Sequence, residues 1–175
     1  MQFQPTNIAG LLIVGLTRYA DERGSFARLF CRDIFAAHGL AHSFVQASLS
    51  VTTRAGTLRG MHFQRAPHEE VKLVRCVRGA IYDVVADIRR DSPTYLRWQG
   101  FELSPESDVT LYIPKGCAHG FLTLANDSEV LYEMSTPHAP SFADGVRYDD
   151  PALGIVWPRP VTRVAEKDLA WPPIR

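Results

Sequence analysis

VKLVRCVRGAIYDVVADI, residues 71–88, holds two apolar runs separated by Arg78-Gly79. Each arm is rich in β-branched and apolar residues, and the glycine between them supplies a turn, so the stretch predicts two strands, 71–77 and 80–88. Working outward, the same kind of run recurs at 11–17, 26–30, 44–51, 57–64, 97–103, 110–113, 119–124 and 130–134. Between the runs stand further turn signals, among them Asp91-Ser92-Pro93, Pro114-Lys115-Gly116 and Asn126-Asp127-Ser128. Many short strands at this spacing predict an antiparallel sandwich or barrel. Only residues 33–38 read as a helix, with a shorter helical turn around 165–169. The chain contains no repeat or linker, so residues 1–175 are expected to form one all-β domain. The Pro- and Asp-rich segment from about 138 should wrap the barrel.

Composition limits the function classes. With 46% hydrophobic and 22% charged residues, a chain of 175 residues can bury one sizeable core. Nineteen basic residues balance nineteen acidic ones, and no run of like charge marks a nucleic-acid or membrane-surface partner. The apolar N-terminal run lacks a preceding basic region, a following cleavage site and the length to span a bilayer, so a cytoplasmic protein is expected. Cys31, Cys76 and Cys117 are odd in number and widely spaced. They read as reduced, mostly buried thiols.

Small barrels converge their inward side chains on an open mouth, which makes polar residues in mid-strand informative. In LRGMHFQ, residues 58–64, strand alternation puts His62 with Leu58, Gly60 and Gln64, and Arg59 on the opposite face. A β-bulge at Gly60 would bring Arg59 and His62 to one side. Lys72, Asp83, His119 and Tyr132 also lie within β runs. A lone histidine in a strand is ordinarily a hydrogen-bonded core residue, a lysine can snorkel and a tyrosine can pack at a rim. Together, however, these ionisable groups need partners, and they point to a cleft.

IPKGCAH, residues 113–119, carries the P-x-G-x-x-H pattern of cupin barrels, many of which bind a metal. The usual H-x-H of the first cupin motif is His62-Phe63-Gln64 here. Two histidines with Glu69 could still form an iron site, but Lys72 would set a cation beside it. The expectation is a cupin-like barrel or jelly roll with a few short helices and no metal.

Several ordered motifs resemble the dTDP-4-dehydrorhamnose 3,5-epimerase family: DERGSF (21–26), LRGMHFQ (58–64), KLVRCVRGAIYDVVADIRRDSPTY (72–95), IPKGCAHGF (113–121), LYE (131–133), DDPALGIVWP (149–158) and EKD (166–168). The resemblance spans residues 8–168. It implies a metal-free cupin-type enzyme, working without a cofactor on a nucleotide-linked 4-keto-6-deoxyhexose. By the same resemblance His62 is the general base, Asp168 orients it, and Tyr132 is the proton donor on the opposite face of the sugar. Lys72 and Arg59 lie near the sugar oxygens and diphosphate, and His119 pairs with Asp83. Arg23 and Gln46 contact the nucleotide, with Phe26 beside Arg23 and His138 on the pocket wall. A homodimer is implied, whose N-terminal strand adds to the partner's sheet and site.

The chemistry agrees with those roles. Both carbons next to a ketone are acidic, so inversion needs a base on one face, an acid on the other and a charge stabiliser at the carbonyl oxygen. An imidazole backed by a carboxylate meets the first need. Pro137-His138 stands where the family has an aromatic pair, Glu133 where it has Lys, Arg28 where it has an acid, and Ser48 where it has Asn. These departures bear on nucleotide specificity and on how many carbons are inverted. A 3,4-ketoisomerase, a metal-dependent oxygenase and a sugar-binding module stay open as alternatives.

Overall fold

The computed structural model describes residues 1–174. In chain order the strands are β1 (Gln2–Pro5), β2 (Leu12–Gly15), β3 (Arg18–Asp21), β4 (Gly24–Ala27), β5 (Gln46–Thr52), β6 (Leu58–Gln64), β7 (Lys72–Arg78), β8 (Ile81–Asp87), β9 (Trp98–Leu103), β10 (Val109–Ile113), β11 (Cys117–Thr123), β12 (Ser128–Met134) and β13 (Ala143–Gly145). Helix α1 (Arg32–Ala37) follows β4, and α2 (Glu166–Leu169) lies near the C-terminus. The order β1-β2-β10-β7-β12-β5 forms a six-stranded sheet and β13-β6-β11-β8-β9 a five-stranded one, while β3 and β4 make a separate hairpin. The pairings are antiparallel, as the run-and-turn pattern predicts.

The central strands of both sheets are covered on two faces, which is why they read as nearly continuous apolar runs. Between them, Val74, Leu111 and Val130 of the six-stranded sheet meet Ile81, Val85 and Phe121 of the five-stranded one. The outer face of the five-stranded sheet, with Met61, Val84 and Ala118, is capped by Leu153, Ile155 and Trp157 from the C-terminal segment. On the other side, Val14, Leu73 and Tyr112 lie beneath Phe35 of α1 and the flanking Phe3, Phe30 and Phe44. Burying each such side chain contributes about 1.5–3 kcal/mol. No helix among the described residues is long and apolar enough to cross a membrane.

Three strands escape sequence reading for local reasons. β1 is short and ends at Pro5, β3 is exposed along its length, and β13 has three residues ending in glycine. The run expected at 26–30 ends at Ala27, because Phe30 leaves the hairpin to pack on Phe35 and Phe44 at centroid distances of 5.0 and 5.1 Å. At the end of β8, buried Asp87 accepts hydrogen bonds from Arg89, Ser92 and Thr94. Burial alone would raise its pKa, but these donors outweigh burial and hold it at about 2. Arg89 also donates to the Ala9 carbonyl at 2.7 Å, tying this loop to the chain entering β2. Cys76 and Cys117 are buried free thiols and Cys31 is partly exposed. Burial pushes Cys117 up to about 12, against the opposing charge of Arg89.

Candidate active site

Strand register gathers the polar residues into two facing rows. In the five-stranded sheet, His62 on β6 stands opposite His119 on β11, and His119 is diagonal to Asp83 on β8. In the six-stranded sheet, Tyr132 pairs with Val74 and Ser48, while Met134 pairs with Lys72 and Gln46. Alternation then places Lys72, Tyr132, Ser48 and Gln46 on one face. The rows border two adjoining chambers of about 520 and 470 Å³, both lined by His62, Lys72, Tyr132 and Lys167.

The bulge expected at Gly60 is present. Arg59 and His62, three residues apart on β6, pair with Phe121 and His119, two apart on β11. The extra residue turns Met61 to the outer core and leaves both Arg59 and His62 lining the smaller chamber. Gly60 adopts φ +133°, and a Cβ there would lie 2.5 Å from Gly120 Cα. Both glycines are needed for this approach, since a Cβ on Gly120 would sit 2.8 Å from the Arg59 carbonyl oxygen.

Each inward group has a defined partner. His62 Nε2 lies 2.7 Å from Asp168 Oδ1, and the Gly60 N–H donates to Asp168 Oδ2 at 3.3 Å. Asp168 is buried, which by itself would raise its pKa. The hydrogen bond and charge of His62 and the Gly60 amide reverse that effect and lower it. An ionised Asp168 accepts the Nε2 proton of His62 and leaves Nδ1 as the basic nitrogen. His119 Nε2 lies 2.8 Å from Asp83 Oδ2, with both side chains buried, and its ring meets Tyr132 edge-on at 5.9 Å. Burial and the Asp83 charge push the Tyr132 phenol well above 10, with Arg59 opposing. Arg59 reaches from β6 to β5, donating to Thr52 Oγ1 at 2.9 Å and the Val51 carbonyl at 3.2 Å. Lys72 Nζ donates to the His62 carbonyl at 3.4 Å.

Gln46 and His138 line the larger chamber, where the His138 N–H donates to Gln46 Oε1 at 2.9 Å. Gln64, the residue in place of a cupin metal ligand, staples the same wall. It accepts from the Ala139 N–H at 2.6 Å and donates to the Pro137 and His68 carbonyls. Glu69 lines neither chamber, and among the described residues no group of His, Cys, Asp and Glu converges as a metal-ligand set. Arg23 and Phe26 are not brought to these chambers. Arg23 is exposed in the β3–β4 turn, paired with Asp21, and Phe26 lines a separate groove with Tyr19 and Arg28. Sequence reading also missed Glu70, Arg163, Lys167 and Trp171, all on the chamber walls. Glu70 was within reach of it, two residues before Lys72 and therefore on the same strand face.

A family model described as dTDP-4-dehydrorhamnose 3,5-epimerase matches residues 5–175. The dTDP-4-dehydrorhamnose 3,5-epimerase of Sinorhizobium fredii is 40% identical over 173 residues, covering 98% of this chain and 89% of that protein. A crystal structure of the Bacillus anthracis dTDP-4-dehydrorhamnose 3,5-epimerase with TDP and pyrophosphate bound superposes with a TM-score of 0.95. It is 36% identical and covers 99% of both chains. A 3'-monoepimerase of Streptomyces bikiniensis in complex with dTDP-quinovose gives 0.89 at 31% identity, covering 97% of this chain and 86% of that one.

Replacing Gly60 by alanine should lower stability by about 2 kcal/mol or more, because the added methyl meets backbone at a φ that L-residues avoid. Urea unfolding reads this as a lower midpoint, and a midpoint equal to wild type would contradict the close approach of β6 and β11.

Proposed function

The chain belongs to the dTDP-4-dehydrorhamnose 3,5-epimerase family, and we propose that it epimerises a dTDP-linked 4-keto-6-deoxyhexose in deoxysugar biosynthesis with His62 as base and Tyr132 as acid. The observation that carries this reading is the opposition of His62, on one sheet and paired with Asp168 of α2, to Tyr132 on the other sheet across a shared cavity.

His62 Nδ1 removes the proton from a carbon next to the C4 ketone. The C–H electron pair moves toward the carbonyl and gives an enolate, whose oxygen charge Lys72 stabilises. Tyr132 then delivers a proton to the opposite face of that carbon, which inverts it. The phenol is well suited to this, since its raised pKa keeps it protonated until a strongly basic enolate arrives. Solvent takes the proton from His62 and restores the one lost by Tyr132, so no external cofactor enters the balance. Arg59, held across the two sheets by Thr52 and Val51, supplies a fixed cation for the diphosphate or sugar oxygens. Gln46 and His138 form the wall against which the nucleotide sugar rests, and His138 is the residue placed to affect how many centres are inverted.

The enzyme acts as a homodimer in the cytoplasm. Leu49 and Val51 on the outer face of β5, and Val45 just before it, are more than half exposed, and the β3–β4 hairpin presents Tyr19 and Phe26 at 68% and 65%. Apolar residues gathered in this way favour coverage by another chain. A second copy covering them would let Arg23 and Phe26 serve the partner's site.

His62→Ala should reduce solvent-deuterium exchange at the carbons flanking the ketone by at least ~10²-fold while dTDP affinity stays within about twofold, because the imidazole touches the reacting centre alone. Asp168→Asn should cost less, since the base survives without its orienting charge. Exchange retained in His62→Ala would remove His62 from the base role. Light scattering on the purified protein should give twice the mass of the chain, and Leu49→Glu should shift it toward the monomer. A monomeric wild type would overturn the dimer.

A further inference from the structure

Three polar groups of the cavity are each backed by a buried carboxylate: His62 by Asp168, His119 by Asp83, and Lys72 by Glu70. The third pair is the one that holds an ammonium rather than an imidazole, and it shares with Asp83 a second carboxylate oxygen that has no donor among the described residues. Glu70 Oε1 lies 3.1 Å from Lys72 Nζ with its side chain only 5% exposed, and Glu70 Oε2 is buried with no donor among the described residues. Asp87, which ties a loop, gathers donors on both oxygens. Glu70 directs its charge at one ammonium instead.

The consequence lies with Lys72. An ammonium has three N–H groups. One faces Glu70, one donates to the His62 carbonyl, and the third is left for an oxygen arriving in the chamber. The backbone under the pair is also fixed. The Val71 N–H donates to Ser135 Oγ at 2.8 Å, the Val71 carbonyl accepts from the Ser135 N–H at 3.0 Å, and Thr136 Oγ1 donates to the Glu69 carbonyl at 3.0 Å. Holding a flexible four-carbon stem at two points before substrate binds removes reorganisation from the reacting step.

We propose that Glu70 is the positioning residue for Lys72, holding the ammonium so that its free N–H meets the ketone oxygen as that oxygen becomes an enolate. This rests on the function proposed above and assigns Glu70 no contact with the reacting carbons.

The test is a double-mutant cycle read by initial rates of solvent-deuterium exchange into dTDP-4-keto-6-deoxyglucose at varied substrate concentration. Glu70→Gln keeps the size and one acceptor but removes the charge. It should lower kcat about tenfold, since an ion pair is replaced by a hydrogen bond from the ammonium to a neutral amide oxygen, with KM and dTDP affinity within about twofold. In a Lys72→Met background the same change should alter the rate less than about twofold, because its route of action is gone. Equal losses in both backgrounds, or an unchanged kcat in the single variant, would overturn the proposal. Should Lys72→Met fail to fold with Glu70 left alone, the split between kcat and KM in Glu70→Gln decides: a loss confined to KM overturns it. The wild type run alongside separates the two claims. A wild type that exchanges neither carbon defeats the functional reading, whereas an active wild type with a fully active Glu70→Gln defeats this inference alone.

Discussion

Where β6 passes β11, Gly60 and Gly120 bring two backbones closer than any side chain would permit. That contact creates the bulge, and the bulge decides which residues face inward. Without it, alternation would leave Arg59 and His62 on opposite sides of the sheet. With it, both line one chamber, Met61 fills the outer core, and the Gly60 amide is free to donate to Asp168. One backbone irregularity thus sets the position of His62, the direction of Asp168 and the reach of Arg59.

The second constraint is electrostatic. A barrel interior cannot hold unpaired charge without a large desolvation cost. His62, His119 and Lys72 are therefore each placed with a carboxylate, Glu70 from two residues before Lys72 and the other two from distant parts of the chain. Asp168 belongs to α2, more than a hundred residues beyond His62. The C-terminal segment is thus part of the site as well as the cap over Met61, Val84 and Ala118. Gln46 and Gln64 extend the principle to backbone by bonding the loop that carries His138. Pocket wall and barrel are thus joined by hydrogen bonds.

Much of this was legible in the sequence because period-2 alternation and turn residues act locally. The ten strand runs, the two short helices and the inward row of Lys72, Asp83, His119 and Tyr132 follow from spacing and residue type. The bulge could be anticipated from a single glycine between Arg59 and His62. What could not be read depends on contacts at long range or on very short pairings. β13 exists because Ala143 and Gly145 pair with Gln64 and His62. Trp171 lines the larger chamber because Gly145 leaves room for its indole. The absence of Arg23 and Phe26 from the chambers of their own chain reflects the β3–β4 hairpin, whose position no local pattern specifies.

The central claim is proton removal next to a ketone followed by return of a proton from the other face. Incubating the wild-type protein with dTDP-4-keto-6-deoxyglucose in deuterated water, and following C3 and C5 by NMR, tests it most directly. The account predicts that deuterium enters at C3, C5 or both and that at least one labelled centre is inverted. Inversion without solvent deuterium, no exchange at either carbon, or migration of the carbonyl to C3 without inversion would contradict it.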